Sequence, residues 1–191
     1  MKRLILIRHA KSSWENSLSD LNRPLSNRGY SDAQIMSGIY NKLNINVDCI
    51  FCSPALRTKQ TAQIFIKNIN SVNKIDYNID STLYDFIGKN VEIFIKNLNN
   101  SLHSVMIFTH NNSCNNILSK FSNIQGLLVP TCGILIFEFD VSLWENINSG
   151  KCNYYFPKNT FLDTVSILTF RSSCFNFCIP ANCCPSFSLS N

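Results

Sequence analysis

Short apolar runs that alternate with amphipathic stretches constrain the fold of this chain more than any other feature. Residues 4–7, 47–52 and 105–108 form largely apolar runs of the length expected for strands buried on both faces. Between them, apolar residues recur at helical spacing. Strands that alternate with helices pair in parallel, because each helix carries the chain back to the start of the next strand.

Two further strands are predicted, one at residues 133–140 and one at 151–156, whereas the polar segment 70–78 is expected to be a connection. The sequence therefore predicts an α/β fold. We expect a three-layer sandwich, in which a mostly parallel central sheet is covered by helices on both faces.

Local signals place the starts of the helices. Ser26 is expected to cap a helix that begins near residue 27 or 29. Ser53 followed by Pro54 is typical of an N-cap and a first helical residue. Two more helices are predicted, one over about 91–98 and one that begins near residues 112–113.

The chain has 191 residues, which suits one well-buried domain. We assign residues 1–161 to this domain. Residues 162–191 lose helical and strand periodicity and carry four cysteines, so we expect a tail outside the domain. These cysteines form no C-x-x-C pair, and the sequence leaves open whether the tail is ordered or binds zinc.

Composition argues against several classes of protein. The formal net charge of +5 is spread along the chain, so we expect no nucleic-acid partner. No signal peptide and no apolar run of membrane-spanning length are visible, which favours a cytoplasmic location without membrane contact. The nine cysteines are an odd number, which argues against a closed disulfide framework.

Cationic and imidazole side chains follow the apolar runs. Arg8 and His9 come directly after the first run, Ser53 and Arg57 follow the second, and His110 follows the third. In parallel sheets ligands bind outside the carboxyl ends of the strands, so these residues are expected to meet at one edge. Two arginines and two histidines there predict a pocket for a small, doubly charged anion.

This residue set suits phosphoryl transfer without a metal. The fixed fork of arginine matches two phosphate oxygens. A histidine with one free nitrogen can attack phosphorus and form a covalent intermediate, provided that an acceptor holds its other nitrogen. Arginines and a second histidine can supply the positive charge that magnesium supplies in kinases, so no cofactor is expected.

Four motifs carry a resemblance to a known family. They are "LIRHAKSSW" at 6–14, "RPLSNRG" at 23–29, "CSPALRTKQTA" at 52–62 and "MIFTHNNS" at 106–113. The chain resembles the histidine phosphatase superfamily, and more narrowly its SixA-type phosphohistidine phosphatase branch. The resemblance implies a phosphoglycerate mutase-like fold and a hydrolase.

The resemblance also implies roles for four residues of the predicted pocket. His9 corresponds to the phosphorylated nucleophile, and Arg8 and Arg57 to the arginines that clamp the phosphate. His110 corresponds to the second histidine, which hydrogen-bonds the phosphoryl group and counts with His9 as catalytic.

Arg23 and Ser53 match branch positions that we place at the rim of the pocket. Thr109 departs from the family, which usually has glycine before the second histidine. Asp85 is the nearest candidate for a proton-donating acid, and its alternative is a solvated loop carboxylate. Trp14 either covers the pocket or packs on Leu18.

The absence of a clear acid favours phosphohistidine as substrate, because imidazole leaves more easily than an alkoxide. The sequence therefore predicts a metal-independent phosphatase that forms phosphohistidine on His9. Its expected partner is a phosphorylated protein, such as a phosphorelay domain. The alternatives are a general small-molecule phosphomonoesterase and a phosphoprotein-binding module without turnover.

Overall fold

The computed structural model describes residues 1–14, 18–69 and 75–157, and a six-stranded sheet forms its centre. The strands lie in the order β3-β2-β4-β1-β5-β6. Their bounds are β1 Lys2–Arg8, β2 Cys49–Cys52, β3 Asp76–Ile79, β4 Ser104–Thr109, β5 Ile134–Phe139 and β6 Lys151–Tyr155. The first four strands of this order pair in parallel, and β5 and β6 pair antiparallel.

Within the described residues, four α-helices cover the sheet: α1 Asn27–Lys42, α2 Leu56–Asn68, α3 Lys89–Lys96 and α4 Asn111–Phe121. Alternate residues of β1 enter two separate cores. Ile5 and Ile7 pack with apolar residues of α1 and α2, whereas Leu4 and Leu6 pack with those of α3 and α4. The sheet is thus buried on both faces, and the predicted α/β sandwich with a mostly parallel sheet is confirmed.

The polar connection predicted at 70–78 is partly wrong, because its end belongs to strand β3. This strand has only four residues, Asp76–Ile79, and pairs with β2 alone at the edge of the sheet. An edge strand keeps one side towards solvent, so it needs no apolar run, and periodicity does not reveal it.

The predicted cap of α1 is confirmed, since the Gly29 backbone N–H donates to Ser26 Oγ at 3.1 Å. The predicted cap of α2 is wrong. Helix α2 begins at Leu56, and Ala55 stands at its N-cap without a side-chain hydrogen bond. The Ser53 hydroxyl instead pairs with His110. A nearby imidazole therefore competes successfully for a hydroxyl that local sequence assigns to a cap.

The loop after β1 is held against the start of α1. Lys11 O accepts the Ser26 N–H at 2.9 Å, and Pro24 O accepts the Ser13 N–H at 2.9 Å. A Cβ at Gly29 would lie 2.1 Å from Lys11 O, so only glycine permits this approach. The close contact fixes the backbone directly beyond His9.

Two predictions depend on residues outside the described ranges. The boundary between domain and tail and the cysteines of 162–191 lie there, so both stay predictions. The five cysteines of the described ranges are buried and form no disulfide. None of the helices in these ranges is long and apolar enough to cross a membrane.

Candidate active site

The histidines and one arginine predicted to meet at the sheet edge do meet there. The ring centroids of His9 and His110 are 5.3 Å apart. Arg57 lies against both rings with 1% of its surface exposed. Its Nε donates to His9 Nε2 at 3.3 Å, and its Nη2 lies 3.3 Å from His110 Nδ1. His9 follows β1, His110 follows β4, and Arg57 lies on α2, which follows β2. Strands β2, β4 and β1 are separated in sequence but lie side by side in the sheet.

These contacts define the tautomers of both imidazoles. Arginine can only donate, so we assign His9 Nε2 and His110 Nδ1 as unprotonated acceptors. His9 Nδ1 then carries the proton and donates to Ala10 O at 2.8 Å. His110 Nε2 donates to Ser53 Oγ at 2.8 Å. The ring nitrogen of His9 that faces Arg57 is therefore unprotonated, as a nucleophile requires.

Both rings are neutral at physiological pH. Burial lowers the pKa of His9 well below its usual range, and the positive charges of Arg57 and Arg8 add to this effect. The Ala10 carbonyl opposes the shift but does not reverse it. Burial, followed by the charge of Arg57, lowers the pKa of His110 to about 3. Both imidazoles therefore remain uncharged near neutral pH.

Arg8 directly precedes His9 in the chain, but its side chain forms its hydrogen bond elsewhere. Its Nη1 donates to Val129 O at 2.6 Å. Its Nε is buried and has no hydrogen-bond partner within the described part of the chain. A buried donor without a partner is unfavourable, and an anion that enters the pocket could satisfy it.

Asp20 belongs to the site, although the sequence analysis assigned it no role. Its Oδ2 accepts from Arg57 Nη2 at 2.9 Å and from the Tyr84 hydroxyl at 2.5 Å. Its Oδ1 accepts from Arg23 Nη2 at 2.6 Å, and its backbone oxygen accepts from Arg57 Nη1 at 2.5 Å. The one sequence feature that indicates this role is the position of Asp20 three residues before Arg23 in "DLNRPL".

The carboxyl group of Asp20 is ionised. Burial alone would raise its pKa, but hydrogen bonds from Tyr84, Arg23 and Arg57 hold it well below its usual range. The site therefore contains a fixed negative charge at its mouth, beside the arginine that is expected to bind the phosphate.

The two predicted rim residues occupy different places. Arg23 lies near the mouth, where it bonds Asp20 and donates to Ser12 Oγ at 2.8 Å. The ring of Trp14, itself 74% exposed, covers the Arg23 guanidinium at 3.6 Å. Ser53 has no exposed surface and bonds His110, so the rim assignment of Ser53 is wrong.

Two aromatic residues that sequence reasoning missed pack against His110. The ring centroids of Tyr84 and Phe86 lie 5.2 and 4.7 Å from that of His110. Thr109 stands where the family usually has glycine. It is buried, and its hydroxyl donates to Leu83 O at 3.0 Å. Its hydroxyl thus fixes the segment that carries Tyr84.

Asp85 is not a solvated carboxylate, and its contacts argue against the role of proton donor. It is buried, and it accepts the backbone N–H groups of Ile87, Gly88, Asn90 and Val91 at the start of α3. Burial raises its pKa, but these four hydrogen bonds outweigh burial and lower it. The carboxylate is ionised and fully used as a helix cap, which argues against the acid role considered from the sequence.

Replacement of Asp85 with alanine is expected to affect stability more than chemistry. Loss of the cap should lower the free energy of unfolding by about 1–2 kcal/mol. Because the folded pKa is lowered, this stabilisation is present at neutral pH and is lost as the pH falls below about 4. Denaturant unfolding at pH 7 measures the change, and turnover should stay within about threefold once corrected for the folded fraction.

Asp80→Ala is the matched control, because within the described ranges the Asp80 carboxylate accepts hydrogen bonds from Thr82 alone. Its effect on stability should be the smaller of the two. A 100-fold loss of turnover in Asp85→Ala at unchanged stability would instead identify Asp85 as a catalytic acid.

Comparisons with known proteins agree with this geometry. A family profile of the histidine phosphatase superfamily (branch 1) matches residues 4–92. An uncharacterised chloroplastic protein of Arabidopsis thaliana is 28% identical over 152 residues, which cover 75% of this chain and 69% of the relative.

Solved structures show the same fold. A protein assigned as phosphohistidine phosphatase SixA from Agrobacterium tumefaciens matches with a TM-score of 0.63 at 24% identity, over 72% of this chain and 91% of that chain. The protein histidine phosphatase SixA complexed with tungstate matches with a TM-score of 0.63 at 18% identity, over 79% and 94% of the two chains. The expected phosphoglycerate mutase-like fold is thereby confirmed.

Proposed function

Because this chain belongs to the histidine phosphatase superfamily, we propose that it hydrolyses phosphohistidine on a protein partner through a covalent phosphohistidine at His9. The lone pair of the unprotonated His9 Nε2, which accepts a hydrogen bond from Arg57 Nε, supports the covalent route. A pure phosphate-binding module would need the cations but not this lone pair.

In the first step, His9 Nε2 attacks phosphorus while the bond from phosphorus to the leaving group breaks. The proton stays on His9 Nδ1, which donates it in a hydrogen bond to the Ala10 carbonyl, and this bond stabilises the ring as it gains positive character. Arg57 Nε and Nη2 now point at the two histidines, so a phosphoryl group on His9 would lie within their reach. We expect the unpartnered Arg8 Nε to bind a further oxygen, and His110 donates to one only after its proton moves from Nε2 to Nδ1, with the Ser53 hydroxyl then donating to Nε2.

In the second step, a water oxygen attacks the same phosphorus and the bond from phosphorus to Nε2 breaks. The water loses one proton to solvent or to the departing phosphate, and His9 returns to its neutral tautomer. Both steps use only fixed positive charges and neutral imidazoles, so no metal ion is needed for charge balance.

Among the described residues, no protonated carboxyl group lies at the site, and this observation favours phosphohistidine as substrate. Asp20 and Asp85 are carboxylates that act electrostatically on His110. Hydrogen bonds lower the pKa of both, so both are ionised at neutral pH. The Tyr84 hydroxyl proton is already donated to Asp20. An alkoxide leaving group would need such an acid, whereas imidazole needs much less help.

A comparison of two substrates tests this proposal. We expect kcat/KM for a phosphohistidine-bearing protein to exceed that for a hexose 6-phosphate by about 10²-fold or more, the usual contribution of a general acid. Phosphate release measures both reactions, and the phosphohistidine protein alone provides the rate of spontaneous hydrolysis. Similar rates on both substrates would favour the alternative of a general phosphomonoesterase.

A further inference from the structure

Asp20 and the expected phosphoryl group would use the same arginine. In this structure, Arg57 Nη2 lies 2.9 Å from Asp20 Oδ2 and 3.3 Å from His110 Nδ1. Its Nε points at His9 Nε2, the atom that would carry phosphorus. A phosphoryl group on or beside His9 would therefore share Nη2 with the Asp20 carboxylate.

The carboxylate is not required to hold Arg57 in place. Arg57 Nη1 donates to the backbone oxygen of Asp20 at 2.5 Å, and this contact survives any change of the Asp20 side chain. The guanidinium also bonds both imidazoles and is almost fully buried. Its position is thus fixed by groups other than the carboxylate.

The carboxylate is itself held near the pocket by several donors. Arg23 binds Oδ1 through Nε at 3.1 Å and Nη2 at 2.6 Å, and Tyr84 donates to Oδ2. The Asp20 side chain remains 43% exposed, so it lies at the mouth rather than in the interior. A negative charge fixed at this place acts on every anion that enters or leaves.

We propose that Asp20 competes with phosphate for Arg57, which weakens the binding of free phosphate and favours its release. This inference rests on the proposed function, since it assumes that the pocket binds phosphate. The physical reason is repulsion between like charges that share one donor. The arginine is then never left without an anionic partner when the product departs.

Binding of inorganic phosphate to wild-type and Asp20→Asn proteins tests the inference without turnover. Asparagine keeps the shape of the side chain and removes its charge. We expect isothermal titration calorimetry to give a Kd for phosphate about tenfold lower in Asp20→Asn. In steady-state assays, the inhibition constant of phosphate and the KM should fall together, and kcat should not rise.

Asp80→Asn is the matched control, because it changes the net charge equally and, in the part of the chain that the structure describes, the Asp80 carboxylate accepts only from Thr82. It should leave the Kd for phosphate unchanged. An equal or higher Kd in Asp20→Asn than in wild type would overturn the inference and leave the proposed function intact. If neither wild type nor Asp20→Asn binds phosphate at tens of millimolar, the proposed function fails, and the inference fails with it.

Discussion

His9→Asn is expected to abolish the phosphatase reaction, with a loss of about 10⁴-fold or more in kcat on a phosphohistidine substrate. Asparagine is polar and of similar shape, but it offers no nucleophilic ring nitrogen. The wild-type ring is prepared for attack, because Ala10 O holds the Nδ1 proton and Arg57 faces Nε2. Removal of the nucleophile therefore leaves the cationic pocket without a covalent route.

The covalent intermediate gives a more direct measurement than the rate. Rapid mixing with substrate that carries labelled phosphate, followed by denaturation in alkaline detergent, should trap label on the wild-type chain. The label should be lost in acid, as phosphohistidine is, and it should be absent from His9→Asn.

His103→Asn is the control for this experiment, because His103 is exposed and its backbone N–H is bonded to Asp48 at the start of β4. It should be labelled and should turn over like wild type. Label on His9→Asn, or turnover at the normal rate, would remove the nucleophile assignment.

The meeting of His9, Arg57 and His110 could be predicted because it depends mainly on strand order. Strands β2, β4 and β1 are neighbours and parallel, so their carboxyl ends share one edge. Each residue follows a buried strand whose apolar run is visible in the sequence. Apolar periodicity therefore carries enough information to bring together three residues that lie far apart in the chain.

The roles of the short polar side chains could not be predicted in the same way. The sequence around Ser53 and the sequence around Asp85 are each compatible with more than one role for the side chain. Ser53 bonds an imidazole from β4 instead of capping α2, and Asp85 caps α3 instead of donating a proton. Local sequence gives the possible partners of a hydroxyl or a carboxylate, and tertiary contacts select among them.

Asp20 was missed for a related reason. It lies in a polar segment without helical or strand period and is the first residue of the short 3₁₀ turn Asp20–Asn22. Its importance comes from donors on other elements, Arg57 on α2 and Tyr84 before α3. Only the spacing to Arg23 hinted at a pair, and that spacing does not indicate which further cation the carboxylate meets.

Arg57→Lys is expected to lower kcat/KM by about 10²–10³-fold, although it keeps the positive charge. The guanidinium spans both imidazoles, with Nε at His9 Nε2 and Nη2 at His110 Nδ1, each 3.3 Å away. A lysine ammonium is a single point and cannot hold two positions on a phosphoryl group at once. It would also leave the Asp20 carboxylate without its bond to Nη2. Steady-state kinetics measure the loss, and thermal unfolding gives the folded fraction by which the rates are corrected.

Arg28→Lys is the control, because Arg28 is an exposed residue of α1 that pairs with Asp32 at 3.5 Å. The rate of this variant should stay within about twofold of wild type. If Arg57→Lys also stayed within that range, the charge alone would suffice, and the argument from the arginine fork would fail.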